Sequence, residues 1–185
     1  MTRATSLISV TEQQSTRRQH HVWRSYLKPW CHGNKIFCRQ NNRIYTPNIS
    51  GVAVERDFYK LHTLTDADIL GIRLMMTNVH PSAKRVLDNF IYMFGIWGQL
   101  KQHPDPTLAR NTDLQALIDH QMINAEEEFH ARIEGDIIPI LDAIRRKDLT
   151  FYNDAELCGR FTHFLSLQSL RTKGMREKVF ARTTE

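Results

Sequence analysis

Two adjacent histidines, His20 and His21, stand in a stretch of twelve residues that also holds an arginine and three large aromatic side chains. An imidazole exchanges a proton near neutral pH, so a histidine pair can supply a general base or a metal ligand. Arg24 lies one helical turn after His21, and its guanidinium is suited to phosphate. The alternative is that both histidines are packed and hydrogen-bonded and do no chemistry.

A second group of chemical interest lies about a hundred residues later. Glu127 and His130 have i, i+3 spacing, so on a helix they could share a cation. Di-iron bundles carry this motif twice, and a second copy is absent here, so a solvated acidic face is the alternative. Glu134 is different because it directly follows Ile133 of an apolar stripe. A carboxylate at the edge of the core needs a partner such as arginine or histidine.

A third group is Gln168 and Arg171, which share one face of the last long predicted helix. Arg171 suits phosphate or carboxylate recognition. The alternative is a favourable positive charge at a helix C-terminus.

The cysteines are few. Cys31, His32 and Cys38 superficially resemble a zinc knuckle, but the second pair of ligands that a structural zinc site needs is missing. Three cysteines, an odd and sparse set, fit a reduced cytoplasmic protein better than a disulfide scaffold.

The positive charge is concentrated at one end of the chain. Residues 1–60 contain ten Lys or Arg and three Asp or Glu, whereas the whole chain has a net charge of +5. A localised positive field favours polyanions such as nucleic acid. Solubility alone is the alternative explanation.

Several classes of protein are disfavoured. The chain has no phosphate-cradling glycine loop, no Gly-x-Ser-x-Gly elbow and no Cys-x-x-Cys. No apolar run approaches the roughly 20 residues of a membrane span, and the N-terminus lacks the apolar core of a signal peptide. We therefore expect a cytoplasmic protein with no membrane partner.

The elements that must position these residues are mostly helical. The pattern predicts a short helix from His21, a hairpin of 35–39 with 43–46, and over 52–59 a loop or short helix leading into a strand. Longer helices are predicted over 65–80, 81–102 and 153–171. Another helix begins near 112 and should kink or split at Pro139. The expected fold class is α+β, mainly a helical bundle with a small N-terminal β-hairpin.

The expected domain organisation is simple. Residues 1–16 form a mobile tail, 17–176 a single globular domain, and 177–185 a basic tail. Within the domain, 17–60 are the hairpin segment and 61–176 the helical body.

Together these segments resemble a bacterial family of unknown function, numbered four-two-three-eight among such families. The matching pieces, in order, are His20-His21, Tyr26-Leu27, Val-Ala-Val-Glu-Arg-Asp-Phe-Tyr at 52–59, Ile133-Glu134, and Gln-x-x-Arg-Thr at 168–172. The family's usual proline after His-His is absent, and members tend to continue beyond the last helix. The resemblance therefore implies a variant, and a short or truncated member.

The family has no established activity that could be carried over to this chain. The resemblance implies that His21, Glu134, Gln168 and Arg171 belong together. We predict that His21 and Glu134 are catalytic, and that Arg24, Gln168 and Arg171 bind substrate. Additional candidates for the site are His20, Glu55, Arg56 and His130.

The leading hypothesis is a nucleic-acid-directed hydrolase of the phosphodiesterase or nuclease type, acting in bacterial or phage conflict, with an unidentified divalent metal as a candidate cofactor. A second is a non-catalytic binding or regulatory protein whose Trp23, Tyr26 or Trp30 stacks on bases. Its partner would be nucleic acid, another protein or a second copy of the chain. A third is a metal oxidase built on Glu127 and His130. Whether the chain is an enzyme stays open at this point.

Overall fold

The structure is a computed structural model that describes residues 15–103 and 105–183, apart from the side chains of 107, 108 and 179–183. Its fold is α+β and mainly helical, as predicted. The strands are β1 (Arg18–His20), β2 (Cys31–His32), β3 (Lys35–Ile36), β4 (Cys38–Gln40), β5 (Arg43–Tyr45) and β6 (Val54–Arg56). The helices are α1 (Arg24–Leu27), α2 (Asp66–Met75), α3 (Pro81–Gln102), α4 (Pro106–Ala109), α5 (Thr112–Arg145), α6 (Ala155–Leu170) and α7 (Lys173–Thr183). Within the described part of the chain, no helix is long and apolar enough to cross a membrane.

The strands form antiparallel pairs: β1 with β6, β2 with β3, and β4 with β5. The predicted turn between β4 and β5 is confirmed. Asn41 and Asn42 connect these strands with φ of 48° and 60°, the left-handed region that asparagine tolerates. Gly33 has φ of 60° in the tighter turn between β2 and β3.

Two local predictions at this end of the chain are right only in part. The short helix expected from His21 begins later, because β1 runs to His20. Helix α1 begins at Arg24, and a 3-10 helix over Lys28–Trp30 follows it. The stretch 52–59, expected as a loop or short helix leading into a strand, contains β6. The paired residues of β1 and β6 are 34 to 38 positions apart in the sequence, so tertiary pairing sets both boundaries against the local pattern.

The helix boundaries follow ordinary capping chemistry. Thr65 accepts from the backbone of Asp68, whose carboxylate bonds back to Thr65, a complete capping box. Asp154, one residue later than the predicted Asn153, caps α6 through the N–H groups of Glu156 and Leu157. Helix α5 continues through Pro139, so the expected split does not occur.

Contacts between Cα atoms divide the chain into two compact units, and the division falls inside α5. Of the described residues, the second unit comprises 18–58 and 128–183, and its core is Ile137, Ile140, Phe151 and Phe164. Trp23 packs edge-on against Phe164, with ring centres 6.3 Å apart, and Tyr26 also lies against this core. The segment 23–26 is therefore held against the helices of this unit.

Of the described residues, the first unit comprises 15–17, 59–103 and 105–127. Its deeply buried side chains include Tyr59 and Ile118. The Leu61 N–H donates to the carbonyl of Met122 at 2.7 Å, which ties this segment to α5. A side chain at Gly98 would come within 2.9 Å of the Thr63 backbone, so this close approach requires glycine.

The structure describes only part of each predicted tail. Residues 1–14 of the first tail lie outside the described residues. Thr16 donates its N–H to Asn124 Oδ1 at 2.9 Å. The stretch 177–185, expected as a basic tail, is helical as far as Thr183. The prediction of a single domain over 17–176 stays a prediction.

Candidate functional site

The His-His pair and the 52–59 motif meet in one antiparallel ladder. Gln19 of β1 lies opposite Glu55 of β6, and His20 lies opposite Val54. Gln19 is completely buried, so β1 lies against the interior of the unit. The two stretches that carried most of the family resemblance are thus direct neighbours.

The peptide between His20 and His21 is held at both of its polar groups. The His21 N–H donates to the carbonyl of Ala53 at 2.9 Å. The His20 carbonyl accepts from Nη2 of Arg171 at 2.8 Å. Ala53 has φ of 51°, a conformation that residues other than glycine adopt rarely. With both groups bonded, the Cα positions of the two histidines are fixed.

Arg171 is in turn held by Glu134. Nη1 of Arg171 forms an ion pair with Oε1 of Glu134, and the two side chains are only 6% and 9% exposed. Charged groups buried this deeply are stable only when they are paired, because removing each of them from water costs a large desolvation free energy. Arg171 caps the end of α6, and Glu134 lies on the buried face of α5 before Ile137. The partner expected for an edge carboxylate is therefore Arg171.

His20 is predominantly neutral at pH 7. Its Nδ1 lies 3.2 Å from the Val52 carbonyl, and because a carbonyl only accepts, Nδ1 carries the hydrogen. Burial holds the pKa of His20 below its ordinary value of 6.5, and the positive charges of Arg24, Arg18 and Arg171 act in the same direction. The bond to Val52 opposes this shift only in part.

His21 is neutral for similar reasons. Its half-buried ring lies against Phe58, with ring centres 5.1 Å apart. Its Nδ1 is buried and has no hydrogen-bond partner among the described residues. Burial lowers the pKa of His21 most, Lys173 and Arg171 lower it further, and Glu55 partly opposes them. A neutral imidazole keeps one nitrogen lone pair with which to accept a proton.

Helix α7 adds two cations that the sequence prediction missed. Nζ of Lys173 bonds Oε2 of Glu55 at 2.8 Å. This bond lowers the pKa of Glu55 and raises the pKa of Lys173. The Arg176 guanidinium lies 4.5 Å from the centre of the Phe58 ring, a cation–π contact. Both cations are close to Arg171 in the sequence, and this closeness is the feature that could have identified them as members of the site.

Two further candidates have polar groups in the interior, although Gln168 as a whole is only partly buried. Both amide atoms of Gln168 are out of solvent and have no hydrogen-bond partner among the described residues. Such a group is uncommon in a folded protein and marks a place where a polar partner would be stabilising. His130 is buried on α5, one turn before Glu134, with its ring 5.6 Å from that of Phe129.

The remaining candidates lie at the surface. Arg24 is exposed on α1 and lines an open cavity. Arg56 is 70% exposed, and its Nε lies 3.8 Å from the Asp57 carboxylate. The structure therefore gathers His20, His21, Glu134 and Arg171 into one bonded group, which we call the His21 group, with Glu55 and Lys173 beside it.

The metal alternatives gain no support from side-chain geometry. Over residues 15–103 and 105–183, no three His, Cys, Asp or Glu side chains lie together as ligands. The three cysteines are free thiols. The divalent metal stays a prediction.

Of the three aromatic residues considered for stacking on nucleic-acid bases, one remains a candidate. Trp23 and Tyr26 pack against the helical core, so they are not free to stack on bases. Trp30 is 59% exposed.

A family model described as "Protein of unknown function (DUF4238)" matches residues 18–185. Curated proteins and solved structures give no match. The matched range begins at the first residue of β1 and includes the whole His21 group.

Proposed function

This chain belongs to the DUF4238 family of proteins of unknown function, and we propose that it is a nucleic-acid phosphodiesterase in which His21 is the general base. One observation carries the proposal. The half-buried imidazole of His21 belongs to a residue whose peptide to His20 is bonded at both polar groups, and burial together with the charges of Lys173 and Arg171 lowers its pKa, which favours the neutral form. This combines a proton acceptor with charges that favour an anionic substrate.

The reaction follows from the state of His21. A water oxygen attacks phosphorus while its proton passes to the neutral imidazole. The ester P–O bond breaks, and the leaving oxygen takes the proton from the imidazolium. The products are a phosphomonoester and an alcohol, and His21 is neutral again.

The two cations near His21, Lys173 and Arg171, differ in solvent exposure and therefore in role. Lys173, half-exposed, can leave Glu55 for a phosphate oxygen, because exposed ion pairs hold weakly. Arg171 was predicted to bind substrate, but it is buried and bonds both Glu134 and the His20 carbonyl. We therefore give Arg171 and Glu134 a positioning role: they hold the peptide that carries His21.

The test is cleavage of labelled single-stranded and duplex RNA and DNA, with magnesium, with manganese and with chelator. His21→Asn should lower the rate by about 10²–10⁴-fold, the usual contribution of a general base. His32→Asn is the matched control, because His32 is exposed on β2 and outside the His21 group. Both variants are checked for folding by circular dichroism. An undiminished rate in His21→Asn would exclude the general base, and no cleavage with any substrate would exclude the hydrolase.

A second candidate function is non-catalytic binding of nucleic acid. It is favoured by residues 22–54, which contain five Lys or Arg and no Asp or Glu, and by the exposure of Trp30. Binding without cleavage would select it. The setting in bacterial or phage conflict, a protein partner and self-association stay predictions.

A further inference from the structure

A separate cavity of about 410 Å³ lies on one side of α1 and opens to solvent. Its volume is within the range of about 300–1,000 Å³ that is typical of small-ligand sites. Arg24 and Lys28 line it together with the polar side chains of Asn34, Asn48 and Ser50. The feature is thus concave, polar and cationic.

The charges in this cavity are not compensated by the protein. Among the residues that the structure describes, no carboxylate lines it, and the sequence from 22 to 54 contains none. Neither Arg24 nor Lys28 takes part in an ion pair among the described residues. Both cations therefore keep their full charge available to a ligand.

The spacing of the two cations favours an anion between them. The Lys28 N–H bonds the Arg24 carbonyl, so the two residues are one helical turn apart. Like charges at i, i+4 repel each other and destabilise a helix. A bound anion would turn this repulsion into attraction to a shared partner.

Residues 48–50, which also line the cavity, can supply neutral donors. Oδ1 of Asn48 already accepts from the N–H and the hydroxyl of Ser50, at 2.9 and 2.8 Å. This fixes the amide and leaves its NH₂ group as the end that can donate. Amide donors beside guanidinium and ammonium groups suit phosphate oxygens.

We propose that this cavity is a phosphate subsite for the polynucleotide. It binds a backbone phosphate of the strand at a position separate from His21. This inference rests on the proposed function and names how the same substrate is gripped. Arg24 also connects the two places, because its charge contributes to the lowered pKa of His20.

Cys31 provides the test, because it lines the cavity and is a free thiol. The full chain carrying His21→Asn is treated with iodoacetamide, alone or with a short oligonucleotide, and modification is followed peptide by peptide. The oligonucleotide should slow alkylation of Cys31 at least severalfold and leave Cys158, on α6, unchanged. Arg24→Gln with Lys28→Gln should abolish this protection. Lys35→Gln with Arg39→Gln, which removes the same charge outside the cavity, should retain it.

The outcomes separate this inference from the proposed function. Absence of protection, or protection that persists in the Arg24/Lys28 double variant, overturns the subsite even if the wild-type chain cleaves. Protection in the His21→Asn chain, together with no cleavage by the wild-type chain, supports the subsite and overturns the hydrolase. Equal protection by inorganic phosphate, a mononucleotide and the oligonucleotide at one concentration would indicate a site for free phosphate, and would overturn the assignment to a polynucleotide.

Discussion

Two arginines in the second unit are used in opposite ways. Arg171 is buried, and Glu134 and the His20 carbonyl bind its guanidinium. Arg24 is exposed and faces a cavity without a carboxylate. The difference shows that burial, more than residue type, decides whether a cation organises the protein or remains available for a ligand.

The largest expected difference between the two arginines is in stability. Arg171→Met leaves the Glu134 carboxylate buried without its ion-pair partner, and should lower the free energy of unfolding by about 3–5 kcal/mol. Arg24→Met, at an exposed position, should change it by less than about 0.5 kcal/mol. Urea unfolding measures both.

A double variant sharpens this prediction. Adding Glu134→Gln to Arg171→Met removes the stranded charge, so the pair should cost less than the sum of the single changes. Equal stability of Arg171→Met and Arg24→Met would show that the buried ion pair does not organise the unit.

The next effect is on the proposed cleavage. Arg171→Lys keeps the charge but loses the planar fork that reaches a carboxylate and a carbonyl together. The His20–His21 peptide should shift, and the rate should fall by about 10²-fold, as for a misplacement near 1 Å. The fall should appear in kcat and leave KM nearly unchanged, since substrate binding is assigned to other cations. A change confined to KM would instead make Arg171 a substrate ligand.

The exposed cations should be visible in the salt dependence of binding. Arg24→Gln with Lys28→Gln removes the neutralisation of one backbone phosphate, so the slope of log affinity against log salt should fall by roughly 0.7 for single strands. Fluorescence anisotropy at several salt concentrations measures it. If the control pair Lys35→Gln with Arg39→Gln gives the same change, the cavity has no special part.

The smallest effect is the pH dependence of stability. Because the pKa values of His20 and His21 are lower in the folded protein than their ordinary 6.5, the unfolded chain binds protons first as pH falls. Stability should be complete above pH 6.5 and decline below it. His20→Asn keeps an N–H for the Val52 carbonyl but cannot be protonated, so its decline should be shallower. An identical acid slope in the two proteins would contradict the buried neutral state of His20.

Local patterns in the sequence predicted the parts of the fold that depend on neighbouring residues. The Asn41-Asn42 turn, the Thr65 cap and the apolar stripe of α5 are each specified within a few residues. The need of Glu134 for a partner also followed from its place beside Ile133.

Features that depend on distant parts of the chain could not be predicted. Strands β1 and β6 have three residues each, too few to show a periodic pattern, and their pairing depends on tertiary packing. The i, i+3 spacing of Gln168 and Arg171 predicts that they share a helix face, but it does not predict how deeply that face is buried. Lys173 and Arg176 join the site only because α7 passes β6 and Phe58.

The central claim is that the neutral imidazole of His21 does the chemistry. It is tested most directly by following the His21 ring by NMR across pH and the cleavage rate over the same range. We expect a His21 pKa below 6.5 and a rate that rises with pH through the same midpoint. A pKa at or above 6.5, or a rate that ignores the titration of His21, would contradict it.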